Sequence, residues 1–167
     1  MRTVGLRLSL IVGALLSGSA AAGTITATDL YEAMEMDSAD VTASSITATL
    51  GSYDTLTDLG VFLPQKGSDM SILHTGLVGD SPEPGVDLGP MGAAGDRATL
   101  ELQLTVPSYA NSFALSFAFF SAEFPEWVGS PYNDAFELYV SGTAFEEEIA
   151  LLLKSTLDSI GFDVSIA

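Results

Sequence analysis

The sequence contains no cysteine, a single histidine and only five basic residues in 167. Without cysteine there is no disulfide framework, no thiolate zinc site, no thiol nucleophile and no acylated lipoprotein cysteine. One histidine cannot build a histidine-rich metal site, and His74 has no nucleophile motif of the Gly-x-Ser-x-Gly type beside it. We therefore predict that His74 is structural or solvent-exposed, and that the folded chain depends on its apolar core and on ions.

The scarcity of basic residues gives the chain a strongly acidic balance. Lys and Arg together number 5 against 22 Asp and Glu, so the formal net charge at pH 7 is -17. Such a charge repels phosphate backbones and anionic membrane surfaces. Nucleic-acid binding is therefore excluded as a predicted function, whereas cations or basic partners are favoured. The alternative is that the acids only keep an extracellular protein soluble.

The N-terminus has the pattern of a secretory signal peptide over residues 1–22. Arg2 and Arg7 precede an apolar run from Leu8 to Leu16, and small residues then lead to an Ala-x-Ala site at Ala20–Ala22. The alternative, a membrane anchor, needs a longer run of roughly 20 apolar residues. The predicted mature chain starts at Gly23, carries three basic residues against the same 22 acids, and is secreted without membrane insertion.

The rest of the chain is predicted to be mainly β. Ala98–Val106 alternates apolar and polar residues along its length, and Ser112–Phe120 and Ala135–Val140 do so less strictly. Further strands are predicted at Val41–Leu50, Leu59–Leu63 and Met70–Val78. Gly79–Asp96 is rich in proline and glycine and is predicted to be a long surface loop. The large apolar faces of these strands favour an antiparallel, jelly-roll-like β-sandwich.

Two helices are predicted at the ends of this β domain. Asp29 can cap a short N-terminal helix that runs to Met36. Near the C-terminus, Thr143 and Glu146 have capping-box spacing, and apolar residues recur at helical spacing as far as Ile160. We therefore predict a β domain over 23–143 and an amphipathic helical tail over 144–167. Self-association through that tail helix is one hypothesis.

The connection between the last two predicted strands carries a group of oxygen-bearing side chains. Glu123, Glu126, Asn133 and Asp134 all lie within it. Calcium binds six to eight hard oxygen ligands and accepts loops of this kind, so these four residues are predicted to form a Ca²⁺ site. Asp80, Glu83 and Asp87 are more speculative additional ligands. The alternative is that Asn133 and Asp134 make turn hydrogen bonds while the two glutamates face water.

The same loop admits a carbohydrate-directed hypothesis. Two carboxylates can cleave a glycosidic bond, and Trp127 and Tyr132 lie nearby as stacking platforms for a sugar ring. However, the same aromatic residues are equally suited to ordinary packing. The sequence favours a non-catalytic protein. The alternative is a carbohydrate-binding or glycosidase-like domain in which Glu123 and Glu126 contact the sugar.

The segment Ser121–Phe136 also resembles the choice-of-anchor L domain, a bacterial extracellular module. Its hallmark is a Ser-x-Glu-[Phe/Tyr]-Pro-Glu core followed by Asn-Asp and an aromatic residue, here Ser121–Glu126, Asn133, Asp134 and Phe136. Weaker similarity extends upstream, through Ala27–Met34, Leu56–Phe62 and Ser71–Asp80. The resemblance implies a secreted or surface-displayed β-rich domain without an enzymatic role, here shortened at its C-terminal end.

Together these observations predict a non-catalytic extracellular or cell-surface module for adhesion, surface display or matrix assembly. In this interpretation Ca²⁺ stabilises the loop that contains Glu123 and Asp134, and the partner is an extracellular glycan or a surface protein.

Overall fold

The chain forms one five-stranded sheet, two small two-stranded sheets and a single short helix in the part that the structure describes. The computed structural model describes residues 2–11, 25–48, 51–78, 97–110, 113–120, 135–142, 149–154 and 162–166. The helix is α1 (Ala27–Ala33). The strands are β1 (Arg2–Ile11), β2 (Val41–Thr47), β3 (Tyr53–Leu56), β4 (Met70–Leu73), β5 (Ala98–Val106), β6 (Phe113–Phe117), β7 (Ala135–Gly142), β8 (Ile149–Lys154) and β9 (Phe162–Ile166). The predicted mainly β fold is confirmed.

The five-stranded sheet has the order β2-β5-β1-β7-β8, and every neighbouring pair is antiparallel. The strands β5 and β7 therefore run parallel to each other with β1 between them. The strands β3 and β4 pair with each other in one two-stranded sheet, and β6 and β9 pair in the other. The register shifts between Val41 and Ala43, so the pairing is irregular in β2, the strand at one edge of the large sheet.

The core lies on one face of the large sheet. In β5 the even-numbered residues Leu100, Leu102 and Leu104 are buried, while Glu101 and Gln103 between them are exposed. In β7, Phe136, Leu138 and Val140 are buried in the same way, while Glu137 and Tyr139 are half-buried and Ser141 is exposed. This period of two follows from the pleat, which points successive side chains to opposite faces. Alternation in the sequence therefore decides which face becomes the core.

The helix α1 packs its apolar side onto this core through Ala27, Leu30 and Tyr31. Leu30 is fully buried, and its carbonyl accepts a hydrogen bond from the hydroxyl of Ser71 in β4. Tyr53 and Leu73 of the β3–β4 pair also pack against the core, so the helix and this pair cover the sheet together. The helix begins three residues earlier than the sequence predicts, because Thr26 rather than Asp29 is its N-cap.

Several strand boundaries differ from the sequence-based predictions. The prediction of a strand over Leu59–Leu63 is wrong, because Gly60 has a φ of 65° and reverses the chain, leaving only a bridge between Leu59 and Phe62. The strands β2 and β4 end earlier than predicted, at Thr47 and Leu73. The predicted strand Ala98–Val106 is confirmed with its bounds unchanged, as β5.

The C-terminal amphipathic helix predicted within 144–167 is not confirmed. Residues Ile149–Lys154 form the strand β8 against β7, and Phe162–Ile166 form β9 against β6, while residues 143–148 and 155–161 lie outside the described part. The run Ile149–Leu153 is apolar at every position, so its periodicity does not distinguish a helix from a strand. Pairing with the free side of β7 favours the strand.

The predicted signal peptide of residues 1–22 contains the strand β1. Its residues Val4, Leu6, Leu8 and Leu10 alternate with Thr3, Gly5, Arg7 and Ser9, which is the pattern of a strand with one apolar face. Residues 12–24, with the predicted cleavage site, lie outside the described part. Cleavage at Ala22 therefore stays a prediction, and it would remove the central strand of the large sheet.

Candidate ligand-binding loop

The candidate site is the connection between β6 and β7, whose two ends are held together by aromatic rings. Phe117, the last residue of β6, stacks on Phe136 of β7 with ring centroids 4.5 Å apart and an interplanar angle of 27°. Phe136 is buried, and Phe117 is half-buried against the same core. The connection therefore begins and ends within ring contact, at the core of the protein.

A second aromatic contact holds the first residues of the connection. Phe119 is buried in the core, and Phe120 meets Phe62 edge-to-face with ring centroids 5.0 Å apart. Phe62 belongs to the turn that follows Leu59. Because one aromatic residue enters the core and the next lies against this turn, residues 117–120 are fixed by packing before the acidic part of the loop begins.

The sequence-predicted ligands of this loop lie outside the described residues. This applies to Glu123, Glu126, Asn133 and Asp134, to the aromatic residues Trp127 and Tyr132, and to Asp80, Glu83 and Asp87 of the second loop. What the structure provides is the attachment of the loop, because Phe117 at its start and Phe136 at its end are in contact. The described residues on either side of this segment are therefore in contact with each other.

No cluster of three or more His, Asp or Glu side chains able to hold a metal ion occurs in the part of the chain that the structure describes. Glu101 is exposed in β5 and accepts a hydrogen bond from the hydroxyl of Ser45 at 3.5 Å. Asp29 accepts hydrogen bonds from Thr26.

A capping box organises the start of α1 and perturbs one titratable group. The carboxylate of Asp29 accepts hydrogen bonds from the hydroxyl of Thr26 at 2.6 Å and from its main-chain N–H at 2.7 Å. The N–H of Asp29 donates in return to the hydroxyl of Thr26 at 3.3 Å. These bonds, the one from the hydroxyl first, lower the pKa of Asp29 from its ordinary value of 3.8. Asp29 therefore serves the helix rather than a ligand.

Buried polar residues collect where β3 begins and β4 ends. Ser52, His74 and Thr75 are all buried, and the main-chain N–H of His74 donates to the carbonyl of Ser52 at 2.7 Å. Of the two predicted places for His74, the structure shows the buried one. The contact joins main-chain atoms, so it continues the strand pairing of β3 with β4 and does not itself pair a nucleophile with a base.

The turn that Gly60 makes has an exposed apolar tip, which is not among the features predicted from the sequence. Val61, Phe62 and Leu63 are 89%, 46% and 68% exposed. The sequence signal for it is the glycine inside an apolar run, followed by Pro64, because both residues interrupt a strand. Phe62 touches Phe120, so this apolar tip lies beside the candidate loop.

Comparison of the chain with protein-family models, with curated proteins and with solved structures finds no match. No helix of the described residues is long and apolar enough to cross a membrane.

Proposed function

We propose that this protein is a non-catalytic extracellular module in which the β6–β7 loop binds Ca²⁺ and presents a surface for adhesion or matrix assembly. One observation supports the proposal most directly. The stacked rings of Phe117 and Phe136 close the base of a loop whose sequence carries Glu123, Glu126, Asn133 and Asp134. Carboxylate and amide oxygens on a loop with fixed ends are the donors that calcium accepts.

The charge of the chain supports a cation as the ligand. A net charge of -17 disfavours the compact state through self-repulsion, and bound divalent cations reduce that repulsion. Closing the loop base with aromatic packing also lowers the ordering cost that ion binding must overcome, because two ends of the loop are already fixed. The resemblance of Ser121–Phe136 to the choice-of-anchor L domain agrees with an extracellular, non-enzymatic role.

The proposed architecture is a β-sandwich in which the five-stranded sheet forms one layer. Leu115 and Phe117 of β6 and Tyr53 and Leu73 of the β3–β4 pair all pack against the core of that sheet. The two small sheets would then form the second layer, together with α1. The predicted signal peptide supports secretion, and the proposed partner of the module is an extracellular glycan or a surface protein.

The test is thermal unfolding of the purified protein with calcium and with a chelator. An ion that binds only the folded state raises the apparent stability by about 2.7 kcal/mol when its concentration is 100 times Kd. We expect calcium to raise Tm, and we expect Asp134→Asn or Glu123→Gln to abolish the rise. The matched control is Glu32→Gln, which removes an exposed acid from α1 and should leave the calcium response intact.

A Tm that is indifferent to calcium would contradict the proposed ion site. Equal loss of the response in Glu32→Gln and Asp134→Asn would show that calcium acts through net charge and not through the loop. Turnover of a glycoside that disappears in Glu123→Gln or Glu126→Gln would replace the non-catalytic function by the glycosidase alternative.

A further inference from the structure

The strands β5 and β7 together form a binding site for one extended strand between them, and we call this site the seat. The segment that occupies the seat is β1, which belongs to the signal peptide predicted to be cleaved off on export. The strand β1 pairs with β5 from Arg2 to Leu10 and with β7 from Val4 to Ile11. A segment cannot be both a removed leader and the central strand of the folded protein.

Buried apolar residues recur at every second position of β5 and β7 along the seat. Leu6 has Leu102 and Val140 as its register partners, and Leu8 has Leu100 and Leu138. All four partners are at most 3% exposed. Residues directly opposite each other on neighbouring strands share one face of the sheet, so every second position of the seat faces the core. An occupant must therefore alternate apolar residues, as Val4, Leu6, Leu8 and Leu10 do.

The other face of the seat has a preference for charge. Arg7 has Glu101 of β5 and Tyr139 of β7 as register partners, and Ser9 has Thr99 and Glu137. Glu101 is exposed and Glu137 half-buried, so a basic residue at the place of Arg7 is favoured. The seat thus selects an occupant by both apolar alternation and charge.

An empty seat does not close by itself without rebuilding the core. The strands β5 and β7 each run antiparallel to β1, so they are parallel to each other, and direct pairing would need the slanted hydrogen-bond pattern of parallel strands. It would also need β7 to move by about 5 Å, the spacing of one strand. Leu100, Leu138 and Phe136 belong to one core cluster, and close-packed cores resist such a shift.

We propose that this seat is an exchangeable strand-binding site: in the exported, leaderless protein it takes an extended segment of another protein by β-strand addition. The segment has alternating apolar residues and a basic residue opposite Glu101. Main-chain hydrogen bonds to β5 and β7 on both sides supply affinity, and the apolar positions supply specificity. The inference rests on the proposed function, because export is what empties the seat.

The experiment uses the full-length chain with a protease site placed within residues 12–24, between β1 and α1. The chain is folded first and then cut, so that β1 remains held without a covalent link. A labelled peptide of residues 2–11 is then added in excess, and its uptake and the Tm of the complex are measured. The control peptides carry Leu6→Asp with Leu8→Asp, which places charges opposite buried residues of β5 and β7, or Arg7→Glu, which places a like charge opposite Glu101.

We expect the labelled peptide to replace the cut β1 segment at one copy per chain. The chain with bound peptide should have a higher Tm than the chain that has lost its β1 segment. The Leu6→Asp/Leu8→Asp peptide should bind at least tenfold more weakly. The Arg7→Glu peptide should lose affinity that partly returns at high salt, since exposed charges are screened.

Loss of the cut segment with no change in Tm, or uptake of the wild-type and double-Asp peptides alike, would overturn the proposal. Assembly of the freed chains into dimers that the peptide does not dissociate would also overturn it, in favour of a second copy as the occupant. Calcium is tested on the same complex: an absent calcium response with normal peptide uptake would remove the proposed function and leave the strand seat standing.

Discussion

Phe117 and Phe136 lie 19 residues apart in the sequence, yet their rings stack at 4.5 Å and join the end of β6 to the start of β7. The contact links a strand of the small β6–β9 sheet to an interior strand of the large one. It also fixes both ends of the loop that carries Glu123 and Asp134. A single ring pair therefore connects the packing of the core with the candidate ligand site.

Removing either ring should lower the free energy of unfolding, and removing both should lower it by less than the sum of the two single effects. Phe136 is 4% exposed, so Phe136→Ala should lower the free energy of unfolding by about 3–5 kcal/mol. The coupling between Phe117→Ala and Phe136→Ala in a double-mutant cycle should be about 0.5–1.5 kcal/mol. Urea unfolding of the four proteins measures it. Val61→Ala, at a residue 89% exposed, is the control and should change stability little.

Additive effects of the two substitutions would contradict the ring contact. Phe117→Ala should also weaken the calcium response of Tm in proportion to the loop's lost attachment, while Val61→Ala should not.

The capping box of α1 should make stability depend on pH in the acid range. The hydrogen bonds from Thr26 lower the pKa of Asp29 in the folded protein below its ordinary value of 3.8. A lowered folded pKa means that the stabilising contribution is present above the unfolded pKa and is lost as pH falls through the folded pKa. Asp29→Asn should therefore reduce the slope of stability against pH below about pH 4.

Thr26→Ala should cost about 0.5–2 kcal/mol at neutral pH, the usual range for the loss of an N-cap. Because Asp29 is exposed, its charge contributes only a small part of this stabilisation. Denaturant unfolding between pH 3 and pH 7 measures both effects, with Glu32→Gln in the same helix as the control. An unchanged acid slope in Asp29→Asn would show that the bonds to Thr26 do not form in solution.

Two residues with left-handed backbones, Glu35 and Gly67, should respond in opposite directions to substitution. Glu35 follows the C-cap of α1 with a φ of 59°, a place where glycine is the usual residue. Glu35→Gly should therefore stabilise the protein by about 1 kcal/mol. Gly67 has a φ of 70°, and a Cβ there would overlap the Glu35 carboxylate.

Gly67→Ala should destabilise by about 1–2 kcal/mol from backbone strain, and by more where the Glu35 side chain cannot move away. Measuring Gly67→Ala in a Glu35→Ala background separates strain from the clash, because only the strain should remain. An equal effect of Gly67→Ala in both backgrounds would show that Glu35 adapts without cost.

The sequence predicts those parts of the fold where one local rule acts alone. The strict alternation of Ala98–Val106 yields β5 with the predicted bounds, since one buried face is enough to define it. The prediction for Leu59–Leu63 fails because a single left-handed glycine outweighs the apolar run. Ile149–Leu153 suits a helix or a strand, and only the available edge of β7 decides between them.

The candidate site shows the same limit. Its oxygen-bearing residues can be identified from the sequence, because residue type alone shows that Glu, Asn and Asp lie between two predicted strands. Its attachment cannot, because alternation places Phe117 on an apolar face without naming Phe136 as its partner. The strand β1 was missed for a different reason: an apolar segment after two arginines fits a leader and an amphipathic strand equally well.

The apolar tip should separate a residue that packs from residues that do not. Phe62 is 46% exposed and meets Phe120 edge-to-face, whereas Val61 and Leu63 on either side are 89% and 68% exposed. Phe62→Ala should therefore lower the free energy of unfolding by about 1 kcal/mol through the lost ring contact. Val61→Ser and Leu63→Ser should stay within about 0.5 kcal/mol of the parent.

Because Phe120 lies at the start of the candidate loop, Phe62→Ala should also reduce the calcium-dependent rise in Tm, while the two serine variants keep it. Equal losses in all three variants would mean that the whole tip is buried in solution, and that its residues are covered by another part of the chain or by a second molecule.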